Sequence, residues 1–492
     1  MKVIQSLLAA FPFSLHSFIA SRIALFSCSS NRSKLFDHEE HKQEILLLYA
    51  KGMIETRLIY EFVLPRVFDL FHQGERLHLE NLSQFLEVVE IKYSSRLQEE
   101  LSLLIFSGQL LVFDCQSESM YSVNVANPPQ RSVDESNMEV SIRGPRDRFV
   151  ESAEINTVLI RQLLKTLSLV TETYTLGTRS NTNVTLLYMD DIISPDILDT
   201  IKCRLSEIKM DIISSSYQVE ELLYDRTFSL LPLLDYSGRP DYVVQSLNQG
   251  RFAILVDGNP SCLIGPVNLE FLIKSPEDNQ LSFFYASISR FLRLSALVTT
   301  ILLPGLWTAL TSYQSDQIPF PLLATVAVSR QGLPLSDPLE LFVMLVFFEL
   351  FKEAGIRLPK SVGQTVAVLG GLIVGDAAIR AGLTSPSTLV IGAVTVISSY
   401  TLVNQNVAGN ILILRFFIFG LASFLGLYGF FIGVFFVLFY LASLESFGQP
   451  YMVGFQMLEK GDLLKTFLKA PFKYLKERNH AYSPVDPDRQ KE

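Results

Sequence analysis

The chain changes character near residue 294. Upstream, short apolar runs bounded by turn residues alternate with amphipathic stretches, the pattern of strands and surface helices. Downstream, apolar positions become nearly continuous: "LSALVTTILLPGLWTALTSYQS" (294–315) carries no charge over 22 residues. At 1.5 Å per residue such a run crosses the roughly 30 Å hydrocarbon layer of a bilayer. From Val362 to Leu444 the only charged residues are Asp376, Arg380 and Arg415, a density foreign to a soluble fold.

The upstream half repeats itself. "EILLLYAKGMIETRLIYEFVLPRV" (44–67) parallels "NVTLLYMDDIISPDILDTIKCRL" (183–205), each an apolar strand ending in tyrosine (Tyr49, Tyr188), a turn, then a helical pattern. "GQLLVFDCQSESMYSV" (108–123) parallels "GRFAILVDGNPSCLIG" (250–265), two strands with turn chemistry between them, and Asp257-Gly258 is a hairpin signal. Both offsets are about 140 residues, as a duplication predicts. "VSIRGPRDRFVESAEINTVLIRQLL" (140–164) predicts a turn at Gly144-Pro145 followed by a linking helix, and "PPQRSVDESN" (128–137) reads as an exposed loop.

The predicted fold is therefore an α/β cytoplasmic domain of two duplicated subdomains followed by a polytopic α-helical membrane domain. The expected boundaries are an N-terminal apolar extension over 1–34, subdomains over 35–143 and 144–282, a transmembrane domain over 283–444 and a basic cytoplasmic tail over 445–492. Basic residues set the orientation: Arg290 and Arg293 precede the first span, Lys352, Arg357 and Lys360 follow the second, and "LEKGDLLKTFLKAPFKYLKER" is basic. Both termini on the cytoplasmic side require an even number of crossings. The expected spans are 294–312, a broken segment within 320–350, 362–381, 386–403, 410–426 and 428–443. Arg330, Gly332, Pro334 and Pro338 interrupt the second, which also reads as a re-entrant or interfacial element; the final pair also reads as one long helix. In the extension, "MKVIQSLLAAFPFSLHSFIASRIALFSC" has a basic start and an apolar run broken by His16 and Arg22. It reads as an amphipathic extension or a misassigned start, or as a signal peptide ending at Cys28.

Hydrophobic residues make up 49% of the chain and charged ones 18%, with a net charge of −9. That balance argues against a nucleic-acid partner, which needs clustered Lys and Arg. Cys28, Cys115, Cys203 and Cys262 have no CxxC spacing, and the six histidines form no paired-ligand pattern, so neither a metal nor a cofactor is expected. Asp190-Asp191 lacks a partner His, Lys or phosphate loop and reads as a solvated turn. Arg143, Arg146 and Arg148 of "IRGPRDR" form either a structural turn with surface charge, a subunit contact or an anion site. No catalytic constellation emerges, and the chain is not read as an enzyme.

Candidate functional residues lie in the apolar half. Gly363, Ala367, Gly371 and Gly375 stand four apart, and Gly370 and Ala378 widen the stripe. Glycine is about 1 kcal/mol worse than alanine in a helix, but in lipid a smooth face lets backbones approach closely. The seam serves packing within one subunit or contact between subunits around a pore. Asp376 is either an i,i+4 partner of Arg380 at the interface or part of an ion-attracting ring. Gln364 is a further candidate for polar lining, Glu349 and Glu353 fit the cytoplasmic interface with Lys352 and Arg357, and Asn404, Gln405, Asn406 and Asn410 suit a water-facing loop or the mouth of a cavity.

"LLYMDDIISPDIL", "NQGRFAILVDGNP", "KSPEDNQ", "LFKEAGIRLPKSVGQTVAVLGGLIVGDAAIRAGLTSP" and "LASLESFGQPYM", in this order, resemble the A subunits of the GerA-type spore germinant receptors. With "SIRGPRDRFVESAEINTVLIR" the resemblance runs from about 44 to 478. It implies a protein of the spore inner membrane that works with a transporter-like, nutrient-binding B subunit and a lipoprotein C subunit. It also implies a homo-oligomer forming a channel whose opening releases monovalent ions. Two features depart from the family pattern: the N-terminus is shorter before the first strand, and Asp376 stands where the family favours a neutral amide.

Overall fold

The computed structural model describes residues 18–24, 44–50, 52–67, 87–92, 97–114, 119–127, 147–357, 375–453, 469, 471, 473, 477–478 and 482–489. The chain divides into two compact units, one of residues 1–223, 236–265 and 477–491, the other of 224–235 and 266–476.

The first unit holds two five-stranded sheets. The strands are β1 (Phe18–Ala24), β2 (Glu44–Ala50), β3 (Val88–Glu90), β4 (Gln109–Asp114), β5 (Ser119–Asn124), β6 (Leu169–Leu176), β7 (Thr182–Met189), β8 (Asp235–Ser237), β9 (Phe252–Val256) and β10 (Cys262–Gly265). The sheet orders are β1-β2-β4-β5-β3 and β6-β7-β9-β10-β8. They are the same order shifted by five strands, which is the duplication seen in the sequence. β1 falls inside the extension expected over 1–34, yet it pairs with β2 from Phe18↔Ala50 to Ala24↔Glu44 as the counterpart of β6. Seven residues interrupted by Arg22 give no strand signal alone; the partner strand supplies it.

β9 is buried along its whole length, and Val184, Leu186 and Leu187 of β7 are fully buried, so these central strands read as continuous apolar runs. The turn after β9 has Gly258 at φ +83, and the Asp257 carboxylate accepts the Ala153 N–H at 3.1 Å. That bond starts helix α2 (Ala153–Leu163), which is also capped by the Ser152 side chain. Helix α1 (Leu97–Ile105) covers the first sheet. α2 is the expected link between the copies: Val158 packs in the core of the first, while Arg161 donates to the Leu169 carbonyl of the second at 3.4 Å. Helix α3 (Pro195–Glu207) starts on a proline and buries Ile197, Ile201 and Leu205, four residues apart. Helices α4 (Ser216–Leu223) and α5 (Pro240–Leu247) complete the second copy. The loop expected over 128–137 lies outside the described residues.

The end of the expected basic tail is part of this unit. Arg478 donates to the Asn248 carbonyl at 3.0 Å, the Val485 N–H to the Ile192 carbonyl at 2.9 Å, and the Arg251 guanidinium lies 4.4 Å over the Tyr482 ring.

The second unit is helical: α6 (Phe283–Ser312), α7 (Phe320–Ser329), α8 (Asp337–Arg357), α9 (Pro386–Tyr400) and α10 (Gln405–Ser443), with residues 375–380 also helical. Residues 283–312 and 407–443 are long and apolar enough to cross a membrane. α10, however, is two helices. Gly426 has φ 64 and ψ −142, close to a region that essentially only glycine occupies. Phe417 meets Phe436 at 6.5 Å, and a Cβ on Gly433 would lie 3.2 Å from Ile418. In one straight helix residues 417 and 436 would stand about 28 Å apart. The final pair of spans is therefore an antiparallel hairpin, with arms 405–425 and 427–443.

The helix ends sort into two sets. Tyr313 and Gln314, after α6, bond to the tip of the α10 hairpin at Ser423 and Leu427. Glu340 near the start of α8 bonds the start of α9, and Ser329 at the end of α7 lies 3.4 Å from Ser387. At the other end Lys352 of α8 lies 5.9 Å from the Tyr400 ring of α9. Both ends of α7 thus lie on the hairpin-tip side, so the interrupted segment gives one short helix that does not run the length of the bundle and one that does.

Candidate functional site

Ionisable side chains stand inside this apolar unit, and the fold determines which pair. Arg415, on the first arm of α10, is 1% exposed and donates to Glu349 of α8 at 2.9 Å. Its guanidinium lies 5.2 Å over the Phe416 ring, and Lys352 stands 3.8 Å from the second Glu349 oxygen. A buried guanidinium is tolerated only with a counter-charge, because its desolvation costs several kcal/mol.

A second cluster closes the hairpin-tip side. Arg330, in the turn after α7, pairs with Asp337, and its Nε lies 3.6 Å from Oε2 of the fully buried Glu340. Glu340 Oε1 accepts from Thr384 Oγ1 at 3.0 Å and from the Ser385 N–H at 2.5 Å, while Ser385 Oγ caps α9 by accepting the Thr388 N–H at 3.3 Å. The irregular backbone at Gly332 and Pro334 is exposed, with Gly332 at φ +85. Thr311, Leu323, Val326, Arg330 and Gln331 help line an adjoining cavity of about 340 Å³.

A third cluster fixes the base of α6. Asp278 of the "KSPEDNQ" motif is 1% exposed and binds Arg290 at 3.0 Å and Arg293 through two further bonds. Burial pushes its carboxyl up, but the hydrogen bonds and charges of Arg293 and Arg290 win and hold it below the usual carboxylate range. Lys469 donates to the carbonyls of Asp278, Asn279 and Leu281, and burial lowers its pKa. The two arginines that mark the positive flank in the sequence are thus committed to an intramolecular ion cluster.

Gly363, Gln364, Ala367, Gly370 and Gly371 lie outside the described residues. Gly375 is buried, and a Cβ there would lie 3.3 Å from Leu389 of α9, a contact within one chain. Asp376 forms the i,i+4 pair with Arg380 at 2.9 Å, both side chains well exposed in the single chain. Asn404 departs from a water-facing mouth. It is buried, accepts the Val407 N–H at 3.2 Å as the cap of α10, and donates to Asp235 at 2.5 Å. A helix start must satisfy its orphan N–H groups, and that need takes the amide. Asn410 is half-buried, and the side chains of Gln405 and Asn406 are not among those described. Sequence reading missed Arg415–Glu349 as a pair, Glu340 as a buried acid, and Lys469. A charge inside an apolar run was the available signal for Arg415; only the fold supplies its partner.

In the α/β unit, Asp190 and Asp191 are exposed in the turn after β7, as expected of a solvated turn. Arg148 is buried, while Arg143 and Arg146 lie outside the described residues. A polar knot joins Glu172 to Tyr188 at 2.7 Å, Tyr174 at 3.0 Å and Lys202 at 2.6 Å. Partial burial raises the Glu172 pKa, but Lys202 and the two hydroxyls outweigh it and leave it lowered.

The model of the family described as Bacillus/Clostridium GerA spore germination protein matches residues 24–481. The chain is 39% identical to "Spore germination protein XA" of Bacillus anthracis over 91% of both chains. It is 32% identical to "Spore germination protein B1" of Bacillus subtilis, over 93% of this chain and 94% of that one. Among solved structures it matches the N-terminal domain of the A subunit of the Bacillus megaterium spore germinant receptor GerK3, at 23% identity and a TM-score of 0.38, covering 54% of this chain and 92% of that one. With a match running over most of its length, this chain belongs to the GerA family of spore germination proteins.

Proposed function

We propose that this chain is the A subunit of a nutrient germinant receptor in the spore inner membrane, a receptor component and not an enzyme. It works with a transporter-like B subunit and a lipoprotein C subunit. Several copies associate to form a ligand-gated channel that releases monovalent ions and starts germination. Nutrient bound to the B subunit favours the open arrangement by a difference in contact energy between the two states.

The observation that carries this reading is the set of ionisable residues inside an apolar helical unit, above all Arg415 at 1% and Glu340 at 0% exposure. Charges are expensive there and mark function by default. Topology supports it. Residues 477–491 belong to the same compact unit as the N-terminal strands, so both lie on one side of any membrane and the crossings are even. Among the described residues α6, α8, α9 and the two arms of α10 give five, with α7 at the far interface; the span expected over 362–381, mostly outside the described residues, would make six. The small-residue stripe from Gly363 to Gly375 and the carboxylate of Asp376 remain the proposed helix-packing and pore-lining elements, with Gln364 beside them.

The test is the mass and ion conductance of the purified chain in liposomes, with and without its partner. A multimer with flux independent of a co-substrate is expected, and Gly371→Leu should abolish assembly or flux. A monomer removes the pore. Flux that requires a co-substrate means a secondary transporter, and assembly without flux a scaffold.

A further inference from the structure

Residues 224–235 stand in the sequence between α4 and β8, inside the α/β half, yet they are built into the helical unit. The attachment is dense. The Leu230 N–H donates to Tyr440 Oη at 2.7 Å, and the Phe447 N–H to Asp225 Oδ2 at 2.7 Å. Ser446 Oγ donates to the Leu233 carbonyl at 2.8 Å, and Tyr451 Oη to the Pro232 carbonyl at 3.1 Å. Asn404 closes the far end of the segment on Asp235. The Leu230 side chain packs against the buried helical cluster that includes Leu414, Ile418 and Val437. Most of these partners sit where α10 begins and ends or just beyond it, so the segment is a fixed cover on that end of the hairpin.

Between the attachment points Phe228 is 96% exposed. A lone exposed aromatic means nothing by itself; its place does. Residue 226 is tied to Ser443 at 3.4 Å and residue 230 to Tyr440, so Phe228 is held beside the last turn of the second arm. That arm, 427–443, is about 25 Å long, which puts its last turn at the edge of the hydrocarbon. Phe435, Phe436 and Phe439 of the same arm expose their rings just above. An aromatic ring and a guanidinium at this depth are the pair that the headgroup layer accepts, the ring at the interface and the cation at phosphate.

We infer that residues 224–235 form a membrane-surface anchor, with Phe228 seated in the headgroup layer beside the ends of α10 and Arg226 next to phospholipid phosphate. The inference rests on the reading of the helical unit as embedded in lipid.

The test uses the full chain in liposomes. Trp307 is the only tryptophan, so Phe228→Trp in a Trp307→Phe background reports one position; if that background fails to express, the difference from the parent chain serves. Lipids brominated on the acyl chain should quench the Phe228→Trp probe, aqueous iodide should not, and added anionic lipid should deepen the quenching unless Arg226→Gln is also present. Phe436→Trp is the control for the embedded helices. Iodide quenching without lipid quenching at position 228, with the control lipid-quenched, overturns the anchor and leaves the membrane reading intact. Protection from both quenchers means a protein covers the site, which also overturns it. Loss of lipid quenching at both positions overturns the membrane reading itself.

Discussion

Gly426→Ala probes the point on which the hairpin depends. The residue sits at φ 64 and ψ −142, and an added Cβ would lie 2.9 Å from the Tyr313 side chain and 3.2 Å from Gln314 Oε1. The backbone strain is about 1–3 kcal/mol and the steric insertion about 1–3 kcal/mol more. The stiffer unfolded chain offsets about 0.4–1 kcal/mol of this, leaving roughly 3 kcal/mol, or about a hundredfold in the folding equilibrium. Tyr313 and Gln314 make the tip's bonds to Ser423 and Leu427, so a shift that relieves the clash also strains them. The control is Gly332→Ala, at φ +85 with nothing within 4 Å of the added carbon; it carries only backbone strain, about 1–2 kcal/mol. Denaturation in mixed micelles, followed by the emission of Trp307, which packs beside the Leu341, Val396 and Phe419 cluster, compares the two. Equal destabilisation by both variants would refute the crowded hairpin tip.

Glu349→Gln should lower stability by about 3–5 kcal/mol by stranding the buried Arg415 guanidinium, and Arg415→Met added to it should recover most of the loss; additive losses in the same assay would show that the two do not act as a pair. Asp278 predicts a pH window: because its folded pKa is depressed, its contribution is present above the unfolded value of about 3.9 and is lost as pH falls through and below it. Asp278→Asn should remove that part of the acid dependence from a pH series of melting curves, and an unchanged acid limb would contradict the cluster. Asn404→Ala should cost about 1 kcal/mol as a lost helix cap; a neutral result in thermal unfolding would contradict the capping role.

Much of the architecture was legible in sequence because its signals are local. The duplication appears in "LLLY" and "TLLYM" and in the two hairpins, and the sheets keep one strand order. The apolar spans follow from uncharged length. The i,i+4 pair of Asp376 and Arg380 also needs only helical spacing. β1 was not legible, since a short run broken by Arg22 becomes a strand only through its ladder to β2. Nor was the role of Asn404: an amide after a helix looks like a loop residue until the next helix start claims it.

The amino-acid sequence by itself determined the two-part character of the chain, the repeat in its α/β half and the family to which it belongs, because hydropathy and local turn chemistry act over a few residues. Tertiary structure alone decided that α10 folds back at Gly426, that Arg415 finds Glu349 66 positions away, that Lys469 closes the base of α6, and that residues 224–235 leave the domain that encodes them. Each of these pairs groups remote in sequence, and burial in a low-dielectric interior leaves a charge or an N–H no stable alternative to the partner the fold brings to it.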